Sequence, residues 1–119
     1  MKVIRLDVTT DTAGDGTATY ASHVTGFLYA VQYVDGDFAD GVDVDIDCVH
    51  GDLTYVLMDK DNFNTDQMAY PRTLEHLNTD GTDLSTHCYP MVNGKPKATV
   101  AAGGSVKTGA FILFIFDWA

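Results

Sequence analysis

A strict alternation of apolar and polar side chains constrains the fold of this chain more than any other feature of its sequence. The alternation is clearest over residues 42–50, where Val42, Val44, Ile46 and Cys48 are separated by aspartates. Successive side chains of a β-strand point to opposite faces, so this pattern predicts a strand with one buried and one solvated face. No stretch shows apolar residues at helical spacing without a stronger alternating pattern. We therefore expect an all-β protein.

Strand-like segments recur along the chain at intervals of roughly 8–12 residues, separated by turn-forming residues. They are residues 4–8, 17–21, 27–34, 42–50, 53–58, 67–74, 97–102 and 109–118. Pro71 makes the segment at 67–74 an edge strand, because proline has no amide hydrogen to donate to a ladder. Residues 75–86 are expected to be irregular around an Asp80-Gly81 turn. With no crossover helices for parallel pairing, the pattern predicts an antiparallel two-sheet sandwich of seven to nine strands, jelly-roll-like in topology.

Two of these segments are apolar on both faces. Residues 27–34 (FLYAVQYV) predict a central strand that is covered on both sides. Residues 110–116 form the longest apolar run and suit a buried strand. The length of 119 residues fits a single domain that spans residues 1–119.

The charge balance excludes several classes of partner. The chain has 7 basic and 17 acidic residues and a net charge of -10. Scarce Lys and Arg argue against nucleic acid and against anionic membranes as partners. The acidic surface is explained by solubility, with a basic partner or a salt-rich environment as alternatives.

Residues 1–7 lack the apolar core of a signal peptide, so we expect a cytoplasmic product with reduced thiols at Cys48 and Cys88.

Three sets of residues are candidate metal ligands by residue type. Asp43, Asp45 and Asp47 share one strand face at spacings of roughly 7 Å, but calcium takes about 6–8 oxygen ligands, more than one strand supplies. A solvated outer face is the simpler interpretation, and cation binding there stays open. The loop at 59–66 has Phe63 where an EF-hand needs an oxygen ligand. Cys48 and Cys88, with His50 and His87, match no zinc-finger spacing, and Cys48 suits a buried apolar position. We expect no metal and no other cofactor.

Catalytic motifs are also missing from the sequence. Neither Ser22, beside His23, nor Ser85, two residues before His87, lies in a nucleophile elbow. The pair Glu75 and His76 has no recognisable pocket around it. The sequence therefore favours a non-enzymatic binding module. Several tyrosines and phenylalanines (Tyr20, Phe27, Tyr29, Tyr33, Tyr55, Tyr70 and Tyr89) offer either a sugar-stacking platform or ordinary core and cross-strand packing.

Four stretches of the chain resemble a known family. They are the opening MKVIRLDVTT, residues 26–36 (GFLYAVQYVDG), the step Tyr70-Pro71-Arg72, and residues 92–116 (VNGKPKATVAAGGSVKTGAFILFIF). Together they resemble small virion proteins of tailed bacteriophages, and most closely the capsid cement, or decoration, proteins with a β-sandwich or jelly-roll fold. Residues 75–90 have no counterpart in this resemblance.

The resemblance implies a non-enzymatic protein that is made in the host cytoplasm and binds the outer capsid surface of the virion. Its partner would be the major capsid protein, and it would act as a homo-oligomer, a dimer or trimer. Candidate contact residues are Phe38, Phe63, Tyr70 and Arg72, because large apolar or Arg side chains in polar loops suit interface anchors. Packing over the open end of the core is the alternative for each of them.

Three other functions are alternatives to capsid cement. The first is a head-completion or tail component of the virion, and the second is a carbohydrate-binding module for host attachment. The third, a small hydrolase, would require a residue whose replacement abolishes turnover without unfolding the domain.

Overall fold

A computed structural model describes residues 1–76 and 79–117, which form ten β-strands and no helix. The strands are β1 (Lys2–Thr9), β2 (Gly16–Thr19), β3 (Val24–Val34), β4 (Asp43–His50), β5 (Leu53–Lys60), β6 (Gln67–Ala69), β7 (Thr73–His76), β8 (Asp83–Cys88), β9 (Met91–Ala101) and β10 (Thr108–Asp117). Trp118, the expected end of the last strand, lies outside the described residues. The all-β prediction is confirmed.

Eight of the strands form a jelly roll. One sheet has the order β1-β10-β3-β6, and the second has the order β2-β9-β4-β5. Four antiparallel ladders pair β1 with β10, β2 with β9, β3 with β6, and β4 with β5. Successive ladders fall in alternate sheets, as when one long hairpin is rolled up, and this connectivity defines a jelly roll. The predicted sandwich is therefore correct, and its eight predicted segments correspond to the eight strands of the roll.

The long strands β3 and β9 join the two sheets at one corner. Residues 24–27 of β3 pair with residues 91–94 of β9. Two glycines allow this close packing: a side chain at Gly26 would collide with the carbonyl oxygen of Phe116, and one at Gly94 with that of Val49. Glycine is required wherever another backbone approaches this closely. The corner therefore holds the sheets together through main-chain contacts.

The core lies between the two sheets, and an aromatic stack occupies part of it. The alternating residues of β4 (Val42 just before it, then Val44, Ile46 and Cys48) are buried, as the sequence predicted. The ring of Tyr33 stacks on Phe63 at 4.1 Å between centroids and on Phe111 at 5.3 Å. Phe111 lies directly opposite Tyr33 on β10, whereas Phe63 enters from the loop after β5.

The buried phenol of Tyr33 keeps a polar partner. Its hydroxyl donates a hydrogen bond to Oδ1 of Asp35 at 2.7 Å. Burial, reinforced by the carboxylates of Asp35 and Asp66, raises the pKa of Tyr33 far above its ordinary value. The ring therefore stays neutral and anchors the aromatic stack to the loop after β3.

Strand β9 begins at Met91, well before the predicted start at Lys97. Pro96 lies inside it, opposite Cys48 of β4. The carbonyl of Pro96 accepts a hydrogen bond from the amide of Tyr20, just past the end of β2. An amide hydrogen at position 96 would point to the same side, so proline removes only the reciprocal bond to Tyr20, and β2 ends at this position.

The expectation of an irregular segment at residues 75–86 is wrong. Strands β7 and β8 form an antiparallel hairpin, here called the arm (Thr73–His76 and residues 79–88), which raises the strand count to ten. Every described residue of the arm except the half-buried Leu74 is exposed. No face of the arm packs on the core, so its sequence carries no apolar alternation. Polar pairs link its strands: His76 with Asp83 at 2.8 Å and Thr86 with Glu75 at 2.7 Å.

The aromatic stack generates a stability prediction. Replacing Phe63 with Ala leaves a cavity beside Tyr33, so we expect the free energy of unfolding to fall by about 3–5 kcal/mol. Leu53→Ala, at a β5 position that is 63% exposed, is the matched control and should change it by less than about 0.5 kcal/mol. Urea unfolding followed by circular dichroism measures both. A loss below about 1 kcal/mol for Phe63→Ala would contradict its place in the core.

Candidate functional site

A row of exposed apolar side chains crosses β10, β3 and the start of β9 on the outer surface, at the corner where the two sheets join. Phe116 on β10 lies opposite Phe27 on β3, and Phe27 lies opposite Met91 on β9. These side chains are 38%, 41% and 48% exposed, respectively. Directly opposed residues share a sheet face, so the three form one continuous apolar strip.

Three tyrosines extend this strip. The half-buried ring of Tyr29 has its centroid 5.3 Å from Phe116, 5.9 Å from Tyr70 and 6.2 Å from Tyr89. The contacts with Phe116 and Tyr70 are edge-to-face, an arrangement that aromatic pairs prefer. Tyr70 and Tyr89 are 55% and 41% exposed. The rings therefore form a held cluster whose outer surface faces solvent.

Arg72 fixes the cluster from one side. Its guanidinium carbon lies 4.4 Å from the ring centroid of Tyr89 and 5.6 Å from that of Tyr29. Its Nη1 donates hydrogen bonds to the carbonyls of Tyr29, at 2.9 Å, and Pro71, at 2.6 Å. Arg72 directly precedes the arm and Tyr89 directly follows it, so both ends of the arm are attached here.

We call this surface the aromatic patch. It consists of Phe27, Tyr29, Tyr70, Arg72, Tyr89, Met91 and Phe116.

The sequence signal for the patch is the apolar character of both faces of residues 27–34, which predicts a strand covered on both sides. β3 is central, as predicted, but its outer face is not fully covered, because Phe27 and Gln32 are exposed. A bulge at Tyr29, between the pairs Ala30–Phe114 and Leu28–Ile115, shifts the alternation along the strand. In β3, therefore, one apolar face packs in the core and the other apolar face is partly exposed to solvent.

The four predicted contact residues separate into two pairs. Tyr70 and Arg72 lie in the aromatic patch. Phe38 is 5% exposed and Phe63 is fully buried, so neither ring reaches the surface. Phe38 packs against Gly109 and Gly103 at one end of the sandwich. For these two residues the structure shows the alternative, packing over the end of the core, because a large ring is more stable when removed from water.

The carboxylates of β4 face outward but are half-buried instead of fully solvated. Asp45 lies opposite Asp59 of β5, and Asp47 lies opposite Lys97 of β9. Desolvation, together with the hydrogen bond and the negative charge of Asp59, raises the pKa of Asp45 to about 6. Desolvation also raises the pKa of Asp47, against the attraction of Lys97. Asp43 instead accepts a hydrogen bond from the amide of Asn62.

The first two residues of the predicted loop at 59–66 belong to the end of β5, and the rest of the loop fastens another loop. Oδ1 of Asn64 accepts the amide hydrogen of Gly41, and Oδ1 of Asp66 accepts that of Asp35, both at 2.7 Å. The loop thus clamps residues 35–41 while Phe63 fills the core. Among the described residues, no group of three or more His, Cys, Asp or Glu side chains is placed to hold a metal ion.

The remaining candidate groups are dispersed or engaged structurally. Cys48 is buried in the core, whereas His87 and Cys88 lie on the exposed arm. His50 and His23 contact each other edge to face at 5.8 Å, and both bond to Asn93. Glu75 and His76 hold the arm together, as described above. In the described part of the chain, no helix is long and apolar enough to span a membrane.

The other tyrosines of the predicted sugar-stacking set serve packing. Tyr33 lies in the core, and the half-buried Tyr20 and Tyr55 pack against it. The hydroxyl of Tyr55 donates to the carbonyl of Met91 and accepts the amide hydrogen of Asn93. The exposed aromatic side chains of the set are therefore those of the aromatic patch.

Comparisons of the chain with protein-family models, with curated proteins and with solved structures found no match. The jelly-roll topology and the aromatic patch are thus the features from which a function is inferred.

The contacts of Arg72 predict a specific effect on stability. Arg72→Ala removes two hydrogen bonds to carbonyls and the cation–π contact with Tyr89, so we expect the free energy of unfolding to fall by about 1 kcal/mol at this exposed site. Arg72→Lys keeps the charge but loses the planar fork, and should recover less than half of the loss. Chemical denaturation measures all three proteins. Equal stability of wild type and Arg72→Ala would contradict these contacts.

The pair Asp45 and Asp59 predicts a pH dependence. The folded-state pKa of Asp45, about 6, lies above its ordinary value of 3.8. Its protonated form is therefore favoured in the fold, and the stability it contributes is present below about pH 4 and lost as pH rises through about 6. Asp45→Asn avoids this loss. We expect the variant to match wild type at pH 4 and to exceed it by about 1 kcal/mol at pH 8, after allowing for solvent screening.

Thermal unfolding at the two pH values tests this prediction, with Asp52→Asn in the exposed β4–β5 turn as the control. A stability difference for Asp45→Asn that is the same at both pH values would contradict the raised pKa of Asp45 in the folded state.

Proposed function

We propose that this protein is a non-enzymatic virion structural protein that binds the outer surface of a phage capsid and stabilises contacts between capsomers. The observation that supports this proposal best is the aromatic patch. Contiguous exposed apolar surface marks a protein that works in contact with another macromolecule. Rings of Tyr and Phe with an Arg stacked among them have the composition of interface anchors. The jelly roll is itself common among viral capsid proteins.

The distribution of charge agrees with this proposal. None of the residues of the aromatic patch is acidic, whereas Asp43, Asp45, Asp47 and Asp59 gather on the outer face of the other sheet. One side of the sandwich is therefore suited to protein contact. The acidic side suits exposure to solvent, where like charges keep finished particles apart.

The proposed mechanism is mass action. A protein that binds the assembled shell and not its free subunits stabilises the shell by its binding free energy. Repetition of one modest contact over a symmetric lattice multiplies that effect. The major capsid protein is the proposed partner, the capsid surface is the proposed location after synthesis in the host cytoplasm, and the resemblance in sequence supplies both assignments.

A carbohydrate-binding role is the second candidate, because Tyr70 is 55% exposed to solvent. Aromatic faces of this kind stack on sugars. One feature weighs against it: the guanidinium of Arg72 already covers the ring of Tyr89 at 4.4 Å. Specific glycan binding that is lost in Tyr70→Ala and kept in Tyr20→Ala would favour this role over the capsid role.

Copy number and location on the particle test the capsid proposal. We expect the purified chain, added to shells that lack it, to cosediment with them until sites over the whole lattice are filled. Electron cryomicroscopy should then show its density on the outer surface, and the decorated shells should withstand higher temperature. Density confined to the portal or tail would instead identify a head-completion or tail component, and absence of binding to any part of the particle would end the proposal.

A further inference from the structure

Two adjacent features of this chain, the aromatic patch and the arm, leave surface uncovered in a single copy. The aromatic patch exposes rings to water, and the arm that starts and ends in it has almost no buried surface. A two-stranded ribbon that packs on nothing is marginally stable in water at best. Both features are therefore expected to gain stability from one partner that covers them together.

We infer that this partner is a second copy of the same chain, bound face to face through the aromatic patch, with each arm packed on the other copy. This inference does not depend on the capsid proposal, because self-association is a property of the purified protein alone. The pair is a state of the free protein, and contact of the patch with a capsid requires the two copies to separate.

The distribution of charge is the first argument for a second copy. Each chain carries a net charge of -10, so most ways of bringing two copies together are repulsive. The aromatic patch contains no acidic residue and includes Arg72. The arm carries three acidic residues, of which Asp83 pairs with His76 and Glu75 accepts a hydrogen bond from Thr86, while Asp80 lies at its turn. Contact through the patch leaves the carboxylates of Asp43, Asp45, Asp47 and Asp59 on the two far sides of the pair. Face-to-face pairing is thus the arrangement that buries apolar surface while it keeps the acidic sheets apart.

The area available is the second argument. An aromatic side chain presents roughly 150–250 Å², so the four most exposed rings of the patch together offer on the order of 350 Å² per copy. A standard stable interface buries about 800 Å² on each partner. The patch alone is therefore too small, and the exposed faces of the arm, which is continuous with it, supply the remaining area. A two-fold pair covers the patch and also buries the arm, because each copy contributes the same patch and the same arm to the interface.

Sedimentation velocity over a concentration series tests the pairing. From about 1 to about 300 µM, we expect wild type to pass from monomer to dimer. Met91→Glu places a charge in the strip of the patch and should weaken dimerisation at least tenfold. Val56→Glu, at a β5 position that is 63% exposed on the other sheet, is the matched control and should dimerise like wild type.

Thermal unfolding confirms that each variant is folded. If Met91→Glu does not fold, Tyr70→Ser at the 55% exposed ring takes its place, because it removes patch surface without adding a charge. A wild-type protein that stays monomeric throughout the series, or a patch variant that dimerises as tightly as Val56→Glu, overturns the inference.

Salt dependence separates an apolar interface from an ionic one. Raising NaCl from about 0.05 to about 0.5 M screens the repulsion between two acidic chains, so dimerisation through the patch should tighten severalfold. A dimer that dissociates as salt rises would be held by opposite charges, and that result also overturns the inference.

Hydrogen exchange tests the arm. The amides of β8 (Asp83–Cys88) should exchange quickly at dilution and at least tenfold more slowly at a concentration where the dimer predominates. The core amides of β10 should exchange equally under both conditions and serve as the internal control. If β8 exchanges at the same rate in monomer and dimer, the arm does not pack on the second copy. Decoration of shells by a strictly monomeric chain would contradict this inference while leaving the capsid proposal intact.

Discussion

The antiparallel ladder between β10 and β3 is the contact on which the rest of the structure depends. It sets side by side the two strands whose sequences are apolar on both faces. On the inner side it pairs Phe111 with Tyr33 and Leu113 with Val31, and these side chains make up the centre of the core. On the outer side it pairs Phe116 with Phe27, and these rings begin the aromatic patch. A shift of one residue would exchange the two sets, so one register determines both the core and the candidate binding surface.

The rest of the roll follows from this ladder. β1 covers the free edge of β10, and the glycine corner at Gly26 and Gly94 turns β3 and β9 from one sheet toward the other. The second sheet then presents apolar residues inward and aspartates outward. The molecule is consequently polarised, with an aromatic surface on one sheet and a carboxylate surface on the other. This polarity is the physical basis of the proposed role as a binding protein and of the proposed face-to-face pair.

The parts of the fold that sequence predicted well are those in which one face packs against the core. The alternation from Val42 to Cys48 predicted both the strand and its buried side, and the eight strands of the roll were all anticipated. The arm was missed because neither of its faces packs on the core, so selection for burial leaves no periodic pattern there. Tyr70 and Arg72 lie on the exposed surface that was expected of contact residues. Phe63 was predicted to be a contact residue for the same reason, because it lies in an otherwise polar loop. Its ring is instead buried against Tyr33, which is far away in the sequence, so no local pattern could predict that contact.

The sequence by itself determined the class of fold, because side-chain alternation depends on local strand geometry and turn residues act within a few positions. It also determined the acidic character of the protein. Only the tertiary structure decided which apolar residues are left outside the core. Phe63 has an asparagine on each side, whereas Phe116 ends the longest apolar run of the chain, so the local sequence favours exposure of Phe63 and burial of Phe116. One stacks in the core and the other faces solvent because ladder register and loop closure, which join residues far apart in the chain, place them on opposite sides of a sheet.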